Sequence, residues 1–249
     1  MKKNIYYLLA HQDDEFGIFI DISSKIKNNN IHVFYLTSGY KKNISKLKLS
    51  IRDKESINVL KKIGVREKNI HFLGKQLDIR CNNLFLNMRI VYLKLLQHVK
   101  GSVPQELVTL AWEGGHEDHD ACNLITRKIA MKLRILNCCR EFSLYNAYDC
   151  KYLYFRVFNP LKKGTIIKTN FLKRLYYIML LFSYRSQFKI WFGLYPFIIY
   201  HYLFYGYNYM QQLNQSKNII KPHNGKLLYE LRNFCDFKNF KSKTKSFLK

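Results

Sequence analysis

The chain has 249 residues, enough to bury a full core, and 48% of them are hydrophobic, which excludes wholesale disorder. Aromatic residues make up 16%, more than a core needs and a sign of stacking or interfacial surface, although Lys, Asn and Ile are also abundant, as an AT-rich genome would impose. The formal charge of +25 is uneven: residues 151–249 hold 18 Lys and Arg against Glu230 and Asp236, a net of +16, leaving +9 for residues 1–150. Such a surface can attract nucleic acid, anionic lipid headgroups or phosphorylated small molecules. No RNP-like, zinc-finger or helix-turn-helix pattern is visible, so nucleic acid is not expected.

Residues 5–9 read as a buried strand. Residues 18–26, with Ile18, Phe19, Ile22 and Ile26 near helical spacing, read as the helix after it, ended by Asn28, Asn29 and Asn30. A second strand covers 31–36. The stretch 51–63, apolar at Ile51, Ile57, Val59, Leu60 and Ile63 and stopped by Gly64, predicts a helix with a glycine cap. A short strand at 70–73, an amphipathic helix at 84–99, a fourth strand at 107–112 and a helix from about 121 to 136 follow. This alternation predicts an α/β fold: a Rossmann-like, mostly parallel sheet flanked by helices, with ligands at the carboxyl ends of the strands.

The expected division is a core over 1–140 and a basic, aromatic C-terminal extension over 141–249 that completes the substrate side. Within the extension, 156–173 reads as loop or strand and 171–210 as aromatic and apolar. No charged residue other than histidine occurs from 190 to 207, a length near the lower bound of about 17 for a membrane span. Gly193, Pro196, His201, Gly206 and the many Tyr favour a helical pair instead, buried in the core, at an oligomer interface, or resting on an anionic membrane surface. The tail 238–249 is expected to be solvated and mobile. Cys81, Cys122, Cys138, Cys139, Cys150 and Cys235 form no CxxC pair, and the apolar stretch after Met1-Lys2-Lys3 is too short for a secretory leader. They read as reduced, mostly buried thiols of a cytoplasmic protein, peripheral at the inner face of the membrane if the basic region touches lipid.

Two stretches carry chemistry. His11-Gln12-Asp13-Asp14-Glu15 follows the first strand, and His116-Glu117-Asp118-His119-Asp120 follows the fourth. Helix capping explains one acid at such a position but not three beside a histidine. The isolated His32, His71, His98, His201 and His223 read as ordinary. A catalytic metal needs about three N or O ligands and an open position, and neither cluster contains Cys. His11 and Asp14, three apart across a turn, can converge on one ion with a histidine of the second cluster. The ion would lower the pKa of its water towards about 7, and the spare carboxylate Asp13 would take the proton.

Ala10-His11-Gln12-Asp13-Asp14-Glu15 resembles the AHPDDE signature, and His116-Glu117-Asp118-His119 the HPDH-type signature, of the PIG-L/LmbE family of zinc-dependent N-deacetylases. The resemblance covers roughly residues 5–135. It implies removal of an N-acetyl group from an N-acetylglucosamine-like sugar, with His11, Asp14 and His119 as metal ligands, Asp13 as general base, and His116 stabilising the oxyanion and protonating the leaving amine. Asp118 would orient a histidine. Arg52, with Glu55 and the Gly64-Val65 helix stop, resembles the family's substrate-facing arginine helix, and Leu73-Gly74 followed by Asp78 its sugar-binding acid. Zinc is the implied cofactor, and ferrous iron suits the same His/His/carboxylate set. Gln12 and Glu117 stand where the family usually has Pro, which alters loop stiffness more than chemistry.

The basic, aromatic C-terminal part favours an acetamido sugar that is phosphorylated or lipid-linked, from surface glycan assembly. Rival readings are a deacetylase of a thiol-sugar or antibiotic precursor, and a non-enzymatic membrane-surface or nucleic-acid binding protein. The last leaves both clusters unexplained.

Overall fold

The computed structural model describes residues 2–41, 49–150 and 154–248, apart from the side chain of Ile190. Strand β1 (Lys3–Leu9) is buried from Ile5 onward, and β2 (Asn29–Tyr35) pairs parallel with it from Lys3↔Asn29 to Leu9↔Tyr35. Asn29 and Asn30 therefore begin a strand instead of ending a helix. A 3-10 turn (Asp14–Ile18) and α1 (Phe19–Lys25) connect the two. Helix α2 (Ile51–Lys62) starts on a capping box between Ser50 and Asp53 and ends before Gly64, whose φ of 102° suits only glycine. After it β3 is only Ile70–His71, because the chain turns at once into α3 (Leu73–Gln76).

Helix α4 (Met88–Gly101) leads to β4 (Glu106–Leu110), which pairs parallel with the other side of β1. Helix α5 (Glu117–Leu133) begins four residues before the expected start. His116 is its N-cap, accepting from Asp118 N, and Glu117, Asp118 and Asp120 in the first turn oppose the helix dipole. The second cluster is thus the start of a helix, not a loop before one.

Past residue 140 the same sheet continues. β5 (Arg140–Phe142) lies parallel to β4. A small hairpin of β6 (Tyr145–Asn146) and β7 (Arg156–Val157) follows, then β8 (Gly164–Lys168), α6 (Phe171–Leu181), α7 (Phe188–Trp191), α8 (Tyr195–Tyr200), a π-helical turn (His201–Tyr205) and β9 (Tyr207–Gln212). The seven-stranded order is β3-β2-β1-β4-β5-β9-β8, with β9 and β8 antiparallel at one edge. The fold is the expected α/β class, mostly parallel and flanked by helices, and the boundary expected at 140 runs through its sheet. α5 packs on β4, β1 and α4, while α1 packs against β2, β8 and β9. The stretch 190–207, read as a helical pair, holds the end of α7 and then α8 running directly into the π-helical turn, with Tyr195, Ile198 and Tyr202 buried. The tail is not loose: α9 (Leu228–Leu231) and α10 (Phe237–Thr244) dock, with Phe240 fully buried against Phe85, Trp112 and Tyr229.

Candidate active site

β1 is followed in sequence by β2 on one side of it and, after β3, by β4 on the other, so the strand order reverses between β1 and β4. Both motifs stand at the carboxyl ends of those two strands, the place where an open α/β sheet leaves a crevice. Asp14 Oδ1 is 3.2 Å from His119 Nε2, Asp14 Oδ2 is 3.7 Å from His11 Nδ1, and the two histidine nitrogens are 3.3 Å apart. One ligand atom from each of the three lies within 4.8 Å of the others, and all three residues are buried.

Asp118 Oδ2 bonds His11 Nε2 at 3.0 Å and is itself held by Asn82 N at 2.6 Å, while Leu84 N donates to its Oδ1 at 2.9 Å. With the Nε2 proton taken by Asp118, the Nδ1 lone pair of His11 faces Asp14 and His119. Burial alone would push the Asp14 carboxyl up, yet the charges and hydrogen bonds of His119 and His11 hold it well below its ordinary range. Burial likewise opposes charge on His11, but Cys81, Asp118 and Asp14 outweigh it and raise its pKa. The cluster's two imidazoles and one carboxylate could hold a divalent metal, with His119 turning Nε2 to the other two and its buried Nδ1 without a hydrogen-bond partner among the described residues.

Asp13 sits beside this set at φ 126°, ψ −24°, a conformation that disfavours any side chain and marks a position held by its surroundings. Its Oδ2 accepts from Arg52 Nη2 at 3.0 Å and from Trp191 Nε1 at 3.2 Å, and its N–H donates to Glu15 Oε2 at 3.0 Å. Burial raises its pKa, Arg52 pulls it down and Asp14 pushes it up again, to about 7. Glu15 also accepts from Tyr184 OH at 2.8 Å, so it braces the Asp13 backbone. Arg52 donates further to Gln12 O at 2.6 Å and to Gly39 O, and Gln12 Nε2 donates to Asp53 on α2. His116 Nδ1 accepts from Asp118 N at 3.1 Å, and burial, with the charges on His11 and His119, keeps the ring's pKa well below its ordinary value.

A cleft of about 310 Å³ opens over His11, Asp13, Asp14, Arg52 and His116. Of the residues predicted from sequence, Asp118 and His119 lie just beneath it. Asp78, in a left-handed turn after α3, does not line it among the described residues. Several lining residues carry no local signal: Cys81, whose Sγ is 3.5 Å from His11 Nε2, and Tyr145, Trp191 and Arg232 from beyond residue 140. Cys81 is half-buried beside the site, not an inert core thiol. Gly114 and Gly115 serve packing: a side chain at Gly115 would strike Tyr145 O and one at Gly114 would strike Leu227. His32, His71 and His98 are not isolated either, since the His71 ring lies 5.7 Å from His32 and 5.2 Å from His98.

The family model for GlcNAc-PI de-N-acetylases (PIG-L) matches residues 6–130, which span both motifs. The chain belongs to the PIG-L family. Solved structures share the PIG-L fold over nearly the whole length. The N,N'-diacetylchitobiose deacetylase of Pyrococcus horikoshii is 18% identical with a TM-score of 0.61, covering 89% of this chain and 88% of that one. The deacetylase of the teicoplanin biosynthesis pathway is 16% identical with a TM-score of 0.57, covering 84% and 96%. The deacetylase of the A40926 pseudoaglycone is 15% identical with a TM-score of 0.58, covering 86% and 99%. At these identities the likeness shows the fold alone. A search of curated proteins returned no significant match.

Proposed function

We propose that this chain is a metal-dependent hydrolase that removes the N-acetyl group from an N-acetylglucosamine-like sugar. The observation that carries this is the convergence of His11, Asp14 and His119 beneath a cleft, with the carboxylate of Asp13 alongside. Membership of the PIG-L family supports the reaction, and the deacetylases of similar fold support a saccharide-bearing substrate. His11, Asp14 and His119 would hold the ion, zinc in the first place and ferrous iron as the other metal that suits the set. When bound, such an ion polarises an amide carbonyl and acidifies a water.

The remaining roles fall to the chain's own groups. Asp13, steadied by Arg52 and Trp191, accepts the proton of the attacking water. His116, with Nδ1 occupied as an acceptor, carries its proton on Nε2 and donates to the developing oxyanion; the proton it passes to the departing amine is made up by the one that Asp13 took from the water. Water and amide thus become acetate and free amine. Asp118 positions His11. Residues 141–249 complete the substrate side through Tyr145 and Arg232, and the guanidinium of Arg232 suits a phosphorylated or lipid-linked sugar of surface glycan assembly. The teicoplanin-pathway likeness favours a second reading, in which the acetamido sugar belongs to an antibiotic precursor.

Purified protein loaded with zinc or ferrous iron and assayed for free amine against N-acetylated glycans, nucleotide sugars, lipid-linked sugars and glycopeptide precursors tests this. Asp13→Asn is expected to lose activity by roughly 10²–10⁴-fold while keeping its metal, and His119→Ala to lose the metal. Undiminished amine release in both variants overturns the reaction. Equal activity on a neutral and a phosphorylated acetamido sugar at low salt overturns the phosphate preference.

A further inference from the structure

Helix α6 turns an apolar stripe outward. Leu172, Leu175, Met179 and Phe182 follow one another at spacings of three and four, with Leu172 77% and Met179 62% exposed, while Tyr177, Leu180 and Leu181 face the core. The surface continues onto the turns that follow. Phe182 and Phe188 both lie against Tyr195, with ring centroids 5.8 and 5.2 Å away, and α6 packs on the π-helical turn, where Phe204 meets Tyr200 at 4.7 Å. Phe192, beside Trp191, is 75% exposed. Single exposed apolar side chains are ordinary, but a connected field of them marks a contact surface.

Charge tells what would cover it. No Asp or Glu occurs between Asp149 and Glu230, and Lys173, Arg185 and Lys189 stand exposed among these aromatics. Glu55 on the neighbouring α2 accepts from Ser186 N at 2.9 Å and from Ser186 Oγ. A surface of Phe, Tyr, Leu and Met set among cations, without its own acids, matches the headgroup boundary of an anionic bilayer, which takes aromatic rings and basic side chains together. Among the described residues no helix is long and apolar enough to cross a membrane, so the contact lies on the surface. The patch also adjoins the cleft, since Gln187, Trp191 and Leu194 line it and the exposed Phe188 and Phe192 directly follow the first two in sequence.

We propose that the face formed by α6, α7, α8 and the π-helical turn docks on a bilayer containing anionic phospholipid, with the mouth of the cleft beside the headgroups. This contact stands independently of the reaction assigned above. Flotation of the full chain with vesicles of phosphatidylcholine, alone or mixed with phosphatidylglycerol, tests it without any substrate. Binding to the mixed vesicles at low salt is expected. Joint replacement Leu172→Ser, Met179→Ser and Phe192→Ser should lower the bound fraction about tenfold, and Arg185→Glu with Lys189→Glu should do the same. Circular dichroism and the melting temperature report whether each variant is folded, and the charge-reversal pair carries the test if the apolar triple does not fold. Absence of binding to mixed vesicles overturns the proposal, as does equal binding to phosphatidylcholine alone, which would remove the anionic partner. A dimer in light scattering that the triple replacement dissociates, with no vesicle binding, would make the face a self-interface instead.

Discussion

Trp191 donates to Asp13 across 178 residues of chain. Its indole also packs on Phe16, Tyr184 and Tyr195, so Trp191→Phe keeps most of the packing and removes the donor. A hydrogen bond to a charged group is worth roughly 1.5–3 kcal/mol. The variant is therefore expected to lose about ten- to a hundredfold in kcat, with KM and metal content little changed, because Trp191 acts through Asp13. A change confined to KM in steady-state kinetics would instead put the indole on the substrate. At this scale the motif residues were legible because His11, Asp13 and Asp14 are crowded into one turn and His116 and His119 into another. Trp191, Cys81 and Arg232 were not legible, since each reaches the cleft only through contacts distant in sequence. Asp78 shows the reverse: a short sequence likeness suggested a role, but the turn at φ 59° leaves it outside the cleft lining.

Elements were read well where burial imposes a period. β1, β2, β4 and α2 lie close to their expected positions because apolar runs and a capped amphipathic helix leave a pattern along the chain. The start of α5 and the docking of α10 were missed for one reason. In each case polar sequence is buried or capped by a partner elsewhere: Asp118 by Asn82 and Leu84, and the Lys-rich tail by the pocket that receives Phe240. Lys128 Nζ reaching Phe247 O adds a second tie between α5 and the tail. Phe240→Ala should lower stability by about 3–5 kcal/mol, as truncation of a fully buried aromatic does. Denaturant unfolding measures it, and a loss below about 1 kcal/mol would mean that the tail is not docked in solution.

For the whole molecule, the balance of buried carboxyls sets how stability follows pH. Glu113 accepts from Leu144 N, Tyr145 N, Ser143 Oγ and Asn146 Nδ2 and so ties the end of β4 to the β6 segment. Burial pushes its pKa from the ordinary 4.5 to about 7 against those hydrogen bonds. A carboxyl whose pKa rises on folding contributes stability that is complete below about 4.5 and is lost as the pH climbs through about 7. Metal-free wild type should accordingly lose on the order of 3 kcal/mol relative to Glu113→Gln between those limits. Parallel pH profiles of the two proteins in denaturant would contradict this. The sequence by itself determined the alternation of strand and helix and the two histidine and aspartate motifs at strand ends, because short-range periodicity and local crowding of donors are written along the chain. Only the tertiary structure decided that β9 and β8 extend the same sheet and that Trp191 and Arg232 close the cleft. The same holds for the apolar face of α6 being turned to solvent, since which side of a helix is covered depends on neighbours that the local pattern does not name.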